Sequence, residues 1–513
     1  MPDKITAKAP WVKNLGDIPA HLDYFQGSMY DMLKSVADKY PNNIAMDFMG
    51  RSTTYRQLLE HVERCAKALK TIGIRENDCV TIAMPNCPQA IAMFYAINMV
   101  GGIANMVHPL SSEKEIEFYL NESNSVTVIT LDQFYHKIEA IRNNTNIVNV
   151  IIASIRDELS QPLKTGYMLT EGRKIRKIPD DAPVIRWQKF LNLSKSCFWR
   201  YKVERKPEDP AVILYSGGTT GTTKGIVLTN LNFNALSQQV IATNPMFRPG
   251  DRMLAAMPIF HGFGLGVCIH TMLTQGGRCV LVPRFTAKSY SKLITKYKCN
   301  FIAGVPTLYE ALLRLPNMEK ADLSSLKGVF SGGDSLTIEL KKKFDKFLYD
   351  HKAVIQIREG YGTTECVTAS CLTPPTMHRE GSIGLPFPDT YYKIVTPGTD
   401  EELPYGHIVR KSDGSFSHIV EDKDCTPEEK AIRELNVGVY VFESGPLWEA
   451  IDQLRPNNAQ GEYYLTDAPA YILSRGGRVG ACPTCTAEEM LGVNTVEQLA
   501  QVEELVRRRE GLK

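Results

Sequence analysis

The sequence predicts an α/β protein with largely parallel sheets. Short strand-like runs alternate with helical-period segments along most of its length, and that alternation is the mark of parallel sheets joined by crossover helices. No internal repeat or low-complexity tract interrupts the pattern. A hydrophobic content of 43% with 23% charged residues is ordinary for a globular chain, and 513 residues leave room for two to four domains with cores of their own.

The elements follow in order. Residues 53–72 place Tyr55, Leu58, Leu59, Val62, Cys65, Ala66 and Leu69 on one stripe, with Thr53 or Thr54 as N-cap. A strand at Cys79–Met84 precedes a helix at Pro88–Met99, and a helix at Ser112–Asn121 precedes a strand at Ser125–Thr130. The alternation continues through Asn149–Ala153, Ser289–Lys298, Phe301–Ala303 and Leu336–Phe347. Residues 160–185, rich in Lys, Pro and Asp, read as a surface insertion. Beyond residue 385 the texture changes. Tyr391–Val395 reads as a strand, followed by a turn at Pro397–Asp400 and a hairpin of His407–Val409 and His418–Val420 around Ser412-Asp413-Gly414. Helices are expected at Pro427–Glu434 and Thr495–Arg509, and the hairpin is expected to dock beside Tyr391–Val395 and cover an open sheet edge.

Composition also excludes. A net charge of +2 gives no electrostatic case for nucleic acid or an anionic membrane, and the basic run Arg173–Lys177 reads as a solvated loop. Twelve scattered cysteines make no disulfide framework, and Cys482-Pro-Thr-Cys485 lacks the further ligands of a zinc site. The first residues show no apolar signal region. Ala90–Val107 is apolar but short and carries Asn98 and Asn105, so it reads as a buried helix running into a strand. A cytoplasmic setting is expected.

The strongest chemical signal is Tyr215-Ser-Gly-Gly-Thr-Thr-Gly-Thr-Thr-Lys-Gly225, between apolar strands Ala211–Leu214 and Ile226–Leu228. Gly217, Gly218 and Gly221 let backbone N–H groups approach an anion closely. Ser216, Thr219, Thr220, Thr222 and Thr223 add hydroxyl donors, and Lys224 adds positive charge. The bland alternative is a flexible polar hairpin. It is not a P-loop, because Lys224 is followed by Gly225 and a strand instead of opening a helix.

This stretch resembles the phosphate loop of the AMP-forming, adenylate-forming enzyme superfamily, and further segments follow in that family's order. Asp251 to Gly264, containing His261, is similar to its substrate-side motif; Val305–Tyr309 and Phe330–Asp334 to pocket-lining segments; Gly360–Glu365 to its nucleotide motif; and Gly381–Pro386 to the segment beyond. The resemblance covers about residues 25–404 and is nearest to bacterial acyl-CoA synthetases. It implies a large N-terminal domain of stacked, mainly parallel sheets over residues 1–404. It also implies that Thr219, Thr220 and Lys224 hold the β- and γ-phosphates of ATP. Thr364 and Glu365 would meet the α-phosphate and Mg²⁺, Tyr361 would stack on adenine beside Gly362 and Thr363, and Gly333 and Asp334 would lie near the base. His261 would border the carboxylate substrate.

From Tyr405 the pattern departs. The expected Thr-Gly-Asp ribose motif and the lysine-bearing small domain are not found in residues 405–513. Instead Tyr405–Arg410, Ile419–Asp424, Ile432–Tyr440, Asn457–Asp467 and Gly492–Asn494 resemble the latter half of the N-acetylglucosamine-1-phosphate uridylyltransferase nucleotidyltransferase domain, a partial Rossmann-like segment. That likeness implies Gly406, Glu421, Asn436, Tyr464 and Thr466 on the amino-sugar side and Asn494 as an Mg²⁺ ligand. The uridine-binding loop of that family is absent.

The expected function is ATP-dependent activation of a carboxylic acid, by resemblance a fatty acid, as acyl-adenylate with transfer to CoA, weakened by the missing C-terminal motifs. The cofactors are ATP, Mg²⁺ and CoA as cosubstrate. The alternatives are a UDP-N-acetylglucosamine pyrophosphorylase-type transferase, or a nucleotide-binding chimera of low activity.

Overall fold

The computed structural model of the chain describes residues 9, 11–216, 223–375, 379–392, 406–430, 432, 434–436, 438, 440–458 and 461–481. They fall into two compact units that divide at Tyr392.

The first unit holds two sheets among its described residues. One has seven strands in the order Ile185–Arg186, Asn149–Ala153, Thr127–Leu131, Cys79–Ala83, Ile103–Met106, Pro210–Ser216 and Lys224–Thr229. All its pairings are parallel except the last, which closes an antiparallel hairpin. The other has nine strands: Leu385–Pro386, Cys371–Leu372, Ile357–Tyr361, Gly328–Ser331, Phe301–Gly304, Arg252–Ala255, Arg278–Leu281, Ile44–Phe48 and Arg51–Thr54. Its middle is parallel and both edges turn antiparallel. The outcome is the expected α/β architecture of mainly parallel sheets.

The helix Pro88–Met99 is buried on every side, with Cys87 before it and Pro88 in its first turn. An all-round apolar helix has no solvent face to offer and must be enclosed by protein. It shares one core with side chains of both sheets, including Ile82 and Ala104 from the first and Met46, Ala255 and Leu281 from the second. Its polar Asn98 is satisfied there, donating to Asn230 Oδ1 at 2.7 Å and accepting from the Tyr30 N–H at 2.9 Å. The apolar run from Ala90 is thus a core helix leading into the strand Ile103–Met106, and among the described residues no helix is long and apolar enough to cross a membrane.

The helix Tyr55–Thr71 follows its sequence signals closely. Thr54 accepts from the Gln57 N–H, and Gln57 reaches back to Thr54 in a reciprocal cap. Tyr55, Leu58, Val62, Cys65, Ala66 and Leu69 are buried along one face. The segment 160–185 is mostly exposed but not structureless, since it contains the helix Leu163–Leu169 and a 3₁₀ turn at Glu171–Lys174.

The second unit is built on an antiparallel sheet of Phe416–Val420, Gly406–Arg410 and Leu435–Asn436. The hairpin forms where expected, but its neighbouring strand is Leu435–Asn436, paired through Gly406 and His407. Tyr391 and Tyr392 carry no strand, and residues 393–395 of the expected strand Tyr391–Val395, beside which the hairpin was to dock, lie outside the described residues. The helix expected at Pro427–Glu434 is also shorter, ending at Lys430. Extended pairing of Asn436 with Gly406 and the bidentate hold of Arg410 on Glu434 draw the chain out of the helix. The turn at Pro397–Asp400 and the helix Thr495–Arg509 lie outside the described residues.

Candidate active site

The site motifs lie at the carboxyl ends of parallel strands, the usual position for ligands of α/β sheets. Phe301–Gly304 runs into Val305, Gly328–Ser331 into Gly332–Asp334, and Ile357–Tyr361 into Gly362–Glu365. Gly333 stands at φ +79°, a backbone conformation that a side chain would resist, and Asp334 is exposed with its carboxylate accepting from the Ser335 N–H. Tyr361 leaves half its surface open, while its carbonyl accepts from the Ser370 N–H.

The phosphate-loop hairpin closes on the pair Ser216 and Lys224, directly opposite each other at its mouth. Tyr215 pins its base by donating to the Tyr119 carbonyl at 3.1 Å, the two rings lying 4.1 Å apart. A Cβ on Gly225 would come within 3.2 Å of the Tyr215 ring, so glycine keeps this crossing tight. Thr223 reaches the Tyr119 hydroxyl. Gly217, Gly218, Thr219, Thr220, Gly221 and Thr222 lie outside the described residues.

Both hairpin strands meet the 3₁₀ turn Thr364–Cys366. There the Glu365 carboxyl is held below its usual range, first by the Thr363 hydroxyl, then by its own backbone N–H and by the positive charge of Lys224. Lysine and carboxylate therefore share one electrostatic neighbourhood. An exposed carboxylate and a threonine hydroxyl are hard oxygen donors, the kind Mg²⁺ takes alongside phosphate oxygens. Among the described residues no group of three or more His, Cys, Asp or Glu is placed to hold a metal ion.

His261 enters from another direction. Asn86, buried, donates to the Ala255 and Met257 carbonyls at 2.9 and 2.8 Å and accepts from the Ile259 N–H at 2.8 Å, clamping the loop that leads to it. His261 Nδ1 accepts from the Phe263 N–H, which puts the proton of the neutral ring on Nε2, and surrounding protein pushes the imidazole pKa down. The chain then forms a π-helix, Phe263–Thr271, braced by Thr271 Oγ1 donating to the Gly266 carbonyl five residues back. His270 on this helix is fully buried between Tyr95 and Asn234, and burial drives its pKa down to about 3.

The π-helix and the Glu365 turn touch at a seam with no spare space. A Cβ on Gly262 would lie 1.6 Å from the Val367 carbonyl oxygen, and one on Gly266 would lie 2.9 Å from Val367 Cγ1. Val367 stands at φ 68°, ψ −49°, close to the strained form of the γ-turn. A β-branched residue there is a true outlier, at about 1–3 kcal/mol. Buried packing on both sides holds it in place.

Below the site, Arg358 on the strand Ile357–Tyr361 is buried without a carboxylate. Its guanidinium donates to the Thr373 and Thr243 carbonyls and to Asn244 Oδ1, and lies over the Phe330 ring. Burial lowers its pKa to about 9. Arg358, Val367, Asn86 and His270 were not singled out by sequence; only the charge of Arg358 inside an otherwise strand-like run offered a signal.

In the second unit the structure brings most of the remaining residues together. Gly406 pairs with Asn436, and Glu421 is 3.4 Å from where a Gly406 side chain would begin. Asn436 donates to the Tyr440 hydroxyl at 2.7 Å. Thr466 is buried next to Asp467, whose carboxyl is pushed up by burial and by the Asp424 and Glu421 carboxylates. Tyr464 caps the same short turn, Leu465–Asp467. Asn494 lies outside the described residues, as do Cys482 and Cys485.

Residues 33–414 match the AMP-binding enzyme family. Among individual proteins, the chain is 29% identical over 489 residues to a long-chain-fatty-acid–CoA ligase of Bacillus subtilis, covering 92% of this chain and 82% of that protein. It is 30% identical over 413 residues to a long-chain-fatty-acid–CoA ligase of Escherichia coli, covering 78% and 72%. Among solved structures, a long-chain-fatty-acid–CoA ligase of Archaeoglobus fulgidus superposes with a TM-score of 0.63 at 20% identity, covering 79% of this chain and 82% of that one. The N-terminal domain of FACL13 from Mycobacterium tuberculosis gives 0.58 at 21%, covering 77% and 89%.

Proposed function

Because the chain belongs to the AMP-binding enzyme family, we propose that it is an AMP-forming acid–thiol ligase whose substrate is a long-chain fatty acid. A carboxylate oxygen attacks the α-phosphorus of ATP. The new P–O bond forms as the bond to the β-phosphate oxygen breaks, and pyrophosphate leaves. The CoA sulfur then attacks the acyl carbonyl and AMP departs. Neither step needs a strong protein base; each needs alignment and neutralised charge.

The observation that carries this reading is the contact of the strand that begins at Lys224 with the turn that bears Thr364 and Glu365, where the lysine's charge reaches the Glu365 carboxyl. Lys224, with the Thr219 and Thr220 hydroxyls of the same motif, holds the outer phosphates. Thr364 and Glu365 hold the α-phosphate side and Mg²⁺, which supplies charge neutralisation. Tyr361 offers its open face to adenine, between Gly362–Thr363 and Gly333–Asp334. His261, neutral at pH 7, donates from Nε2 to the substrate carboxylate without taking its proton. The test is fatty-acid-dependent pyrophosphate release with ATP and Mg²⁺; no release above background across acids of different length would discredit the reading.

For residues 405–513 we infer a second origin, the latter part of a sugar nucleotidyltransferase domain. Supporting it is the gathering of Gly406, Glu421, Asn436 and Thr466 around one small sheet; against it, the likeness to the Bacillus subtilis ligase covers 92% of the chain and so extends past residue 404. Uridylyl transfer is not part of the proposal.

A further inference from the structure

A net charge near zero says nothing about where charges sit, and one surface of the first unit is distinctly uneven. The segment Ser194–Arg200 leaves the helix Trp187–Leu193 and returns to the body of the protein within a few residues. Both of its ends rest on the helix Tyr55–Thr71. At the outgoing end, Thr71 Oγ1 donates to the Leu193 carbonyl at 3.3 Å. At the returning end, Lys67 Nζ lies 4.8 Å above the Tyr201 ring. Those two anchors are one helical turn apart, and between them the segment forms a short knuckle, its first residues Ser194–Ser196 packed on the helix and its tip, Phe198–Arg200, exposed.

At its tip stand Phe198 and Trp199, 90% and 52% exposed. Two adjacent large aromatic side chains in water are unusual, since each would gain about 1.5–3 kcal/mol from burial. A basic collar accompanies them: Lys195 and Arg200 flank the pair in sequence and are exposed, and Lys67 stands on the supporting helix over the Tyr201 ring. Arg200 pairs with Glu204 with both side chains largely in solvent, a weak pair that a lipid phosphate can displace. Lys202, next along, is engaged with Asp31 at 2.6 Å and lies over the Tyr30 ring, so it fixes the stem.

We propose that this knuckle docks the protein on anionic lipid bilayers. Tryptophan and phenylalanine enter the headgroup and upper acyl region while the collar meets lipid phosphates, the division of labour found in interfacial segments. A second copy of the chain is a poorer occupant, because a symmetric contact would press two basic collars together. A convex knuckle also suits a yielding medium better than a rigid partner that would have to carry a matching hollow. The inference stands on exposure and charge and is independent of the chemistry proposed above. Its consequence is that a ligase for water-insoluble acids would sit where such acids partition.

The test is co-sedimentation of the full chain with phosphatidylcholine vesicles with or without phosphatidylglycerol. The parent is expected to sediment with anionic vesicles, less so as salt rises from about 0.05 to about 0.5 M. The double variant F198S/W199S and the charge-reversed K195E/R200E are each expected to lose about tenfold or more in partitioning. All four residues are exposed, so their melting temperatures and pyrophosphate release should match the parent. Three results would overturn the proposal: no sedimentation of the parent, equal sedimentation of parent and variants, or binding to neutral vesicles as strong as to anionic ones. Concentration-dependent self-association of the parent, abolished in F198S/W199S and without vesicle binding, would reassign the knuckle to a contact between copies.

Discussion

Replacing Gly262 by alanine probes the seam between the acid side and the nucleotide side. Gly262 has ordinary right-handed backbone angles, so its need for glycine is one of space and not of conformation. The added Cβ would lie 1.6 Å from the Val367 carbonyl oxygen. A carbon–oxygen contact needs about 3.3 Å, so one side must move by about 1.7 Å. The yielding side is Val367, already in a strained turn and only two residues beyond Glu365. Misplacing reacting groups by about 1 Å can slow a reaction about 100-fold. We therefore expect Gly262→Ala to lower kcat for fatty-acid-dependent pyrophosphate release by about 100-fold or more. ATP affinity should change only a few-fold, because Lys224 is on a separate hairpin. Isothermal titration with ATP and a thermal melt distinguish this from unfolding, since overpacking alone costs about 1–3 kcal/mol. A folded variant with parent-like kcat would refute the reasoning.

Other perturbations have equally defined outcomes. Lys224→Ala should weaken ATP about 10- to 100-fold, the worth of a charged hydrogen bond at about 1.5–3 kcal/mol; equal affinity by titration would remove Lys224 from the cradle. Arg358→Ala leaves the Thr243 and Thr373 carbonyls and Asn244 without their donor in a buried site, and urea denaturation should record a loss of about 3–5 kcal/mol. His270 has a folded pKa of about 3 against about 6.5 unfolded, so the unfolded chain binds the extra proton between those values. Stability from this group is complete above about pH 6.5 and falls with decreasing pH, by about 2 kcal/mol at pH 5. His270→Gln, which keeps a donor and an acceptor, should flatten that slope; an unchanged slope would show that His270 is not its source.

Features written in consecutive residues were legible in advance. The cap at Thr54 and stripe through Leu69, the apolar helix after Cys87 and the glycine–threonine hairpin before Lys224 each carry their instructions locally. Arg358 does not, because its partners Thr243 and Asn244 are far away in sequence and only the fold brings them together. Nor does Val367, whose positive φ is imposed by the glycines of a helix about 100 residues earlier. The same holds just before Leu435–Asn436, where pairing of that strand with Gly406 cuts short the helix expected to reach Glu434. Local preference there is worth a few tenths of a kcal/mol per residue, less than the strand contacts that oppose it.

The nine-stranded sheet imposes a timetable on synthesis. Its strand Ile44–Phe48 pairs with Arg278–Leu281, about 230 residues downstream, which is about 10–50 s of translation at ordinary rates. The Pro88–Met99 helix is made within that interval and then waits about 180 residues for the strand Arg278–Leu281 that helps enclose it. The nascent chain thus exposes a mostly apolar rod for far longer than it takes to collapse, so yield should depend on chaperone supply during elongation more than on the stability of the finished protein.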